Sequence, residues 1–428
     1  MTSHRKTKPV RVLHIVGESR YGGAAKIILP LGQIAQAEGW EVDILATDPV
    51  FQQAVRKYRL GLVSLDVIRR EIRPVWDLGG LLRLSKFLRR EPYQIVHTHT
   101  SKAGFVGRLA ARLAGVPVIV HTAHGFAFHE QSPVPVRRIY TALERLATRW
   151  CDRVISVSEF HRAWAIELGM CTPEQIMAIP NGITDISRSR AVALAELRRE
   201  MGARPGDLLA LSMARLASDK GLDHLIEAAA MLPPTPRRIQ IVIAGDGPDR
   251  ERLEQLAGTF GVNERVKFLG FRDDVPDLLA ASDMVVLPSL REGLSIAMLE
   301  AMAAGKPVVA TDIGSQKEVA AHADIARLVR PADPHALSEA IVRMASDEEL
   351  MARLGTNARA VYERHYTEHK MLDTYRQLYF DLLRAKCPQQ AGTAEQAHRW
   401  GPAEPKAPVD QSYPELVSTP PQTKGGVL

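Results

Sequence analysis

Only three cysteines occur in 428 residues: Cys151, Cys171 and Cys387. That is too few for a disulfide framework, and no two stand close enough for a paired metal-binding turn. Such sparse usage suits a reducing compartment. Long apolar runs are also missing. The cleanest near the middle, residues 113–120, falls far short of the roughly 18–20 residues of a spanning helix. The N-terminus starts basic, but Gly17, Glu18, Ser19 and Arg20 break its apolar stretch within one strand length. It therefore does not read as a signal peptide. What is present is ordinary for a globular chain: 46% hydrophobic and 24% charged residues. At about 150 residues per domain, the length accommodates two to three domains with large cores.

Charge is unevenly placed. Residues 1–185 hold 25 Lys and Arg against 16 Asp and Glu, a net +9; residues 186–428 hold 30 against 33, a net −3. A basic first half suits an anionic membrane, a phosphorylated substrate or nucleic acid. No nucleic-acid-binding module accompanies it, so nucleic acid is not expected as a partner.

Short β-rich runs alternate with helical stretches. In the first half the strands are Val12–Val16, Val42–Thr47, Ile95–Thr98, Val118–Thr122 and Arg153–Val157. The turn Pro180-Asn181-Gly182 and a polar helical segment at 188–201 interrupt the pattern. It restarts with Leu208–Met213, Ile239–Ala244, Val266–Leu269, Met284–Leu287, Pro307–Thr311 and Ala326–Val329. Two such series predict an α/β protein of two doubly wound, Rossmann-like domains with the ligand in the cleft between them. The expected divisions are 1–185, 186–365, a helix at 366–386 returning to the first domain, and a tail at 387–428. The tail holds seven prolines in 42 residues and reads as disordered.

The segment Leu287–Ala310 is the richest in chemistry. A strand ends, a loop carries Glu292-Gly293, and a helix runs from Ser295 to Gly305. Free backbone N–H groups at that helix N-terminus suit an anion. Glu300 falls among Ala297, Met298, Leu299, Ala301 and Met302, where a carboxylate needs a partner such as sugar or ribose hydroxyls. Arg215 and Lys220 follow the strand Leu208–Met213. Together they suit an anionic group such as phosphate, gripped in bidentate fashion by the guanidinium with the lysine as a mobile point charge. Gly22-Gly23 allows close backbone approach but is not the dinucleotide fingerprint. In Arg272-Asp273-Asp274, either aspartate is expected to cap a helix with Pro276 in its first turn. The histidines at 97, 99, 121, 124 and 129 lack metal-ligand spacing, and no metal site is expected. His97 and His121 read as core histidines, and His124 as facing the cleft.

Glu292-x7-Glu300 within EGLSIAMLEAMAAGKPVVA resembles the signature of the retaining glycosyltransferases of family four. So do Gly22-Gly23-Ala24, His124-Gly125-Phe126, Pro180-Asn181-Gly182-Ile183, Arg215, Lys220-Gly221 and Gly245-Asp246-Gly247-Pro248, in order over residues 10–385. The resemblance implies the GT-B fold, with donor nucleotide mainly on the second domain and acceptor mainly on the first. It implies transfer from a nucleotide-sugar, most readily a UDP-sugar, without a catalytic metal or other cofactor. His124, Arg215, Lys220 and Glu292 would be catalytic. Gly22, Gly23, Phe271, Arg272, Gly293, Leu294, Ser295 and Glu300 would complete the donor site. Within VHTHTSKAGFVGRLAARLAGVPVIVHTAHGFAFHE the chain is similar to bacterial members that build exopolysaccharide or O-antigen units. That implies a lipid-linked saccharide acceptor and work at the inner face of the cytoplasmic membrane. Clustered cations at 69–90 and 137–153 suit that surface. A nucleotide-sugar 2-epimerase and a non-catalytic nucleotide sensor share this fold and are the competing readings.

Overall fold

A computed structural model describes residues 9–17, 22–69, 71, 73–129, 132–186 and 194–389. Residues 188–193 of the expected inter-domain helix lie outside these. So does the proline-rich tail from residue 390, including Trp400 and Tyr413.

The first seven strands are β1 (Arg11–Gly17), β2 (Glu41–Ala46), β3 (Gly61–Val63), β4 (Ile95–His99), β5 (Val118–Ala123), β6 (Arg153–Ser156) and β7 (Ile176–Ala178). They form one parallel sheet in the order 3-2-1-4-5-6-7. The next six are β8 (Leu208–Met213), β9 (Ile239–Ala244), β10 (Val266–Gly270), β11 (Met284–Leu287), β12 (Val308–Thr311) and β13 (Ala326–Val329). They form a second parallel sheet in the order 10-9-8-11-12-13. The fold is thus α/β with two Rossmann-like domains, the GT-B arrangement. Near-continuous apolar strands such as LLALSM and MVVL are what a sheet covered on both faces requires. The three-residue strands β3 and β7 are too short to show a period, and the sequence did not reveal them.

Strand order reverses between β1 and β4, and again between β8 and β11. Such reversals open a crevice at the carboxyl ends of the strands. Both crevices open onto the cleft between the domains.

The chain crosses that cleft twice. Ile183 N–H donates to Tyr366 O at 3.0 Å, and Glu368 N–H donates to Ile183 O at 2.8 Å. After the second crossing, helix Glu368–Lys386 packs on the first domain. Tyr375 and Tyr379 lie fully buried there, and each hydroxyl finds a partner: Thr122 Oγ1 at 3.1 Å and His97 Nδ1 at 2.5 Å. A buried tyrosine needs such a partner for its polar end.

Candidate active site

The second domain supplies the charged wall. Past β8 the chain makes a tight turn at Ser218–Lys220, and helix Leu222–Met231 begins directly after Gly221. Lys220 Nζ donates to Glu292 Oε1 at 2.8 Å, and Ser289 Oγ donates to the same oxygen at 2.8 Å. Arg215 reaches Asp219 at 3.2 Å but keeps about half its side chain in the open cleft. Past β11, Ser295 caps helix Ile296–Ala303, its Oγ accepting from Met298 N–H. Gly293 and Leu294, just before the cap, line the cleft.

Arg272 donates to Asp274 Oδ1 at 2.7 Å and also engages Glu200, which raises its pKa above the ordinary guanidinium value. The expected aspartate cap is therefore corrected. Asp274 stands at the N-cap of helix Val275–Ala281, with Pro276 in the first turn, but makes no side-chain cap. Arg272 competes successfully for the carboxylate. Burial pushes the Asp274 pKa up, yet the hydrogen bonds from Arg272 hold it below the usual value.

The first domain supplies the opposite wall. Gly22-Gly23 leads into helix Ala25–Ala37. A Cβ on Gly23 would stand 3.2 Å from Ile296 across the cleft. Lys26, in the first turn of that helix, forms an ion pair with Glu300. The buried carboxylate on an apolar helix thus has a lysine from the other domain as its partner, which no local pattern announced. His124 follows β5. The backbones of the two walls pass close together here: a Cβ on Gly293 would lie 2.0 Å from His124 O, so only glycine fits.

All twelve residues that the sequence singled out line one cavity of about 690 Å³ between the domains. They span Gly22 to Glu300. The same cavity is lined by Lys26, Thr100 and Asn181, which had no assigned role. Thr100 holds φ +60°, a rare conformation for a β-branched residue and a mark of functional loops. Asn181 donates to Leu294 O at 3.4 Å, while its own Oδ1 is buried without a partner among the described residues. Its Pro-Asn-Gly setting had read as a turn. A second cavity of about 320 Å³ adjoins the first and shares His124, Lys220, Glu292 and Gly293. Phe126, Phe128, Phe160 and Trp164 line its far side.

The histidines assemble in a way their spacing did not suggest. β1 and β4 set His14 opposite His97, and alternation puts His99 on the same face. Ring nitrogens of His14, His97 and His99 lie within 4.8 Å of one another. His97 uses both nitrogens, on Tyr379 and Thr122. His121 points to the other face and meets Thr98 Oγ1 at 3.0 Å. Burial lowers the pKa of His14 to about 3 and of His124 to about 4, and holds His97, His99 and His121 well below their usual value. All five are neutral at neutral pH.

Comparison with known proteins agrees with this geometry. Residues 22–182 match the Glycosyl transferase 4-like domain, and residues 195–361 match Glycosyl transferases group 1. The chain is 29% identical over 381 residues to UDP-Gal:alpha-D-GlcNAc-diphosphoundecaprenol alpha-1,3-galactosyltransferase of Escherichia coli, covering 87% of this chain and 97% of that one. It is 32% identical over 300 residues to alpha-D-kanosaminyltransferase of Streptomyces kanamyceticus, covering 66% of this chain and 77% of that one. Among solved structures, Anabaena Alr3699/HepE in complex with UDP and glucose superposes with a TM-score of 0.75 at 23% identity, over 86% of this chain and 99% of that one. Two domain matches covering both walls of one cleft, and relatives matched over most of their length, make this chain a GT-B glycosyltransferase of the group 1, family-four type.

Proposed function

We propose that the chain moves a hexosyl or N-acetylhexosaminyl group from a UDP-sugar, with retention, to a polyprenyl-diphosphate-linked saccharide during surface-polysaccharide synthesis. The observation that carries this reading is the joint placement of His124, Arg215, Lys220 and Glu292 around one cavity. Arg215 and Lys220 offset the charge that grows on the leaving diphosphate, so no metal is assigned a part in the chemistry. Glu292 is tied down by Lys220 and Ser289. A carboxylate so engaged is a poor nucleophile and a good acceptor for sugar hydroxyls, which supports front-face attack. The leaving oxygen then takes the acceptor proton. The aromatic side of the second cavity suits an incoming saccharide. The E. coli relative's lipid-linked substrate supports the acceptor class.

Peripheral attachment to the inner face of the membrane belongs to the same reading. Helix Val134–Thr148 leaves Ile139, Leu143 and Leu146 exposed, beside Arg137 and Arg138. Helix Pro74–Arg90 exposes Val75, Leu78 and Leu82. Apolar side chains rimmed by cations suit an anionic bilayer surface. Not every cation serves it: Arg145 holds the carbonyls of Leu168 and Gly169, and Arg153 holds that of Glu174. Among the described residues no helix is long and apolar enough to cross a membrane.

The test is nucleotide release from UDP-, GDP- and ADP-sugars, with and without polyprenyl-diphosphate-linked saccharide, using Glu292→Ala as the blank. Release from one UDP-sugar that rises with the lipid is the expected result. Sugar turnover without any acceptor, giving an epimer, would overturn it.

A further inference from the structure

His124 does not stand alone. Its Nε2 lies 3.1 Å from His99 Nδ1, and His99 Nε2 lies 3.0 Å from His14 Nδ1. The three rings lie near-parallel, edge to edge, with interplanar angles of 24° and 18°. The far end of the row, His14 Nε2, is buried and has no hydrogen-bond partner among the described residues.

A neutral imidazole has one N–H and one lone pair. Each contact in the row needs one of each, so the protons must be in phase. Only two arrangements satisfy both contacts. In one, every Nε2 of the row is protonated, and His14 ends it with a buried N–H that has no acceptor. In the other, every Nδ1 is protonated, and His14 ends it with a bare lone pair. Buried N–H groups without an acceptor are rarer than under-satisfied acceptors. The cleft end agrees. Nε2 of His124 is taken by His99, which leaves Nδ1 for anything in the cavities that His124 lines. A diphosphate gaining negative charge is stabilised by an N–H and repelled by a lone pair.

We propose that His14 and His99 are positioning residues for the transfer: through two imidazole–imidazole hydrogen bonds they hold His124 as the Nδ1–H tautomer, presenting a donor to the cleft. The proposal rests on reading that cleft as the sugar-transfer site. The row is a tautomer lock and not a proton conduit, because its inner end is sealed from water. His97 lies beside the row without joining it, since Tyr379 and Thr122 occupy both its nitrogens.

The test uses the full chain with ¹⁵N-labelled histidine, in which ring-nitrogen shifts report the tautomer directly. The His124 signals are assigned by their loss in His124→Gln. Wild type is expected to show His124 protonated on Nδ1, and His99→Leu to show the Nε2–H form or a mixture. Turnover in His99→Leu should fall roughly 10–100-fold, with KM for the nucleotide-sugar within about threefold of wild type. His99→Asn, whose amide N–H replaces the one facing His124, should recover most of that loss. Three results overturn the proposal. One is an Nε2–H tautomer in wild type, or the same tautomer in wild type and His99→Leu. Another is equal impairment by leucine and asparagine. The third is one tightly held divalent metal per purified chain, since a metal would occupy the lone pairs that the row uses. The tautomer is read without substrate, so failure of the sugar assay alone counts against the function and not against the lock.

Discussion

Strands β1 and β8 hold the same place in their sheets, each at the point where strand order reverses, yet they are filled differently. β1 carries His14 in the middle of a buried run, and its neighbour β4 adds His97 and His99 on the same face. β8 and its neighbours β9 and β11 are buried almost wholly by Leu, Ile, Val, Ala and Met. In the first domain the polar chemistry is built into the sheet. In the second it hangs from the loops beyond the strand ends, as Arg215, Lys220 and Glu292. One topology therefore supports two ways of making a wall. A charged loop site works by attraction for an anion and leaves its core indifferent to pH. A histidine-filled sheet works by directed hydrogen bonds and ties the stability of the core to its protons.

The comparison can be broken most directly with acid. Buried histidines bind protons in the unfolded chain near pH 6.5 but resist them in the fold, His124 down to about 4 and His14 to about 3. Below pH 6.5 the unfolded state takes up protons that the fold refuses, so stability falls as pH falls. The loss is up to about 1.4 kcal/mol per histidine per pH unit, and several such residues approach the whole stability of a domain. Hydrogen exchange at pH 5 should show strands β1, β4 and β5 opening before β8 and β11. The reverse order would remove the contrast.

Next in size are the loop charges. Lys220→Ala and Glu292→Ala should each lower turnover by about 10²–10³-fold, the scale for losing one group that stabilises developing charge. Circular dichroism should show both variants folded, because neither side chain lies in a core cluster, although losing the half-buried Lys220–Glu292 pair lowers the melting temperature. Near-wild-type turnover in both would remove the charged wall from the mechanism.

Arg108 sharpens the picture of the first domain. It is fully buried and donates to Glu144 at 2.8 Å from a helix on the same face as His121. Glu144→Ala strands that guanidinium and should cost about 3 kcal/mol in urea unfolding. A change under about 0.5 kcal/mol would mean that the pair is dispensable. The smallest effect is expected at the outer face. Ile139→Asp with Leu143→Asp should weaken flotation with anionic vesicles roughly tenfold while turnover on a water-soluble acceptor stays the same. Equal flotation of both proteins would sink the membrane assignment for that helix.

Much of the architecture was legible in the chain. Leu208–Met213, Ile239–Ala244 and Met284–Leu287 coincide with their observed strands because apolar runs bounded by turns are local signals. The helix after Glu292 was legible because Ser295 and Gly305 punctuate it. The capping of Val275–Ala281 was misread because Arg272 outcompetes the backbone for Asp274. Lys26 was not legible at all, since its partner Glu300 lies 274 residues away.

Sequence by itself determined two doubly wound domains, because strand period and glycine turns are short-range properties, and its resemblance to a known family picked out the twelve residues around the cleft. Tertiary structure alone decided which charge answers which. It put Lys26 on Glu300 and tied Glu292 to Lys220. It also set His14, His99 and His124 in one hydrogen-bonded row. Those pairings depend on sheet order and on how two domains meet, and a hydrogen bond is decided by distances of tenths of an ångström that no local pattern encodes.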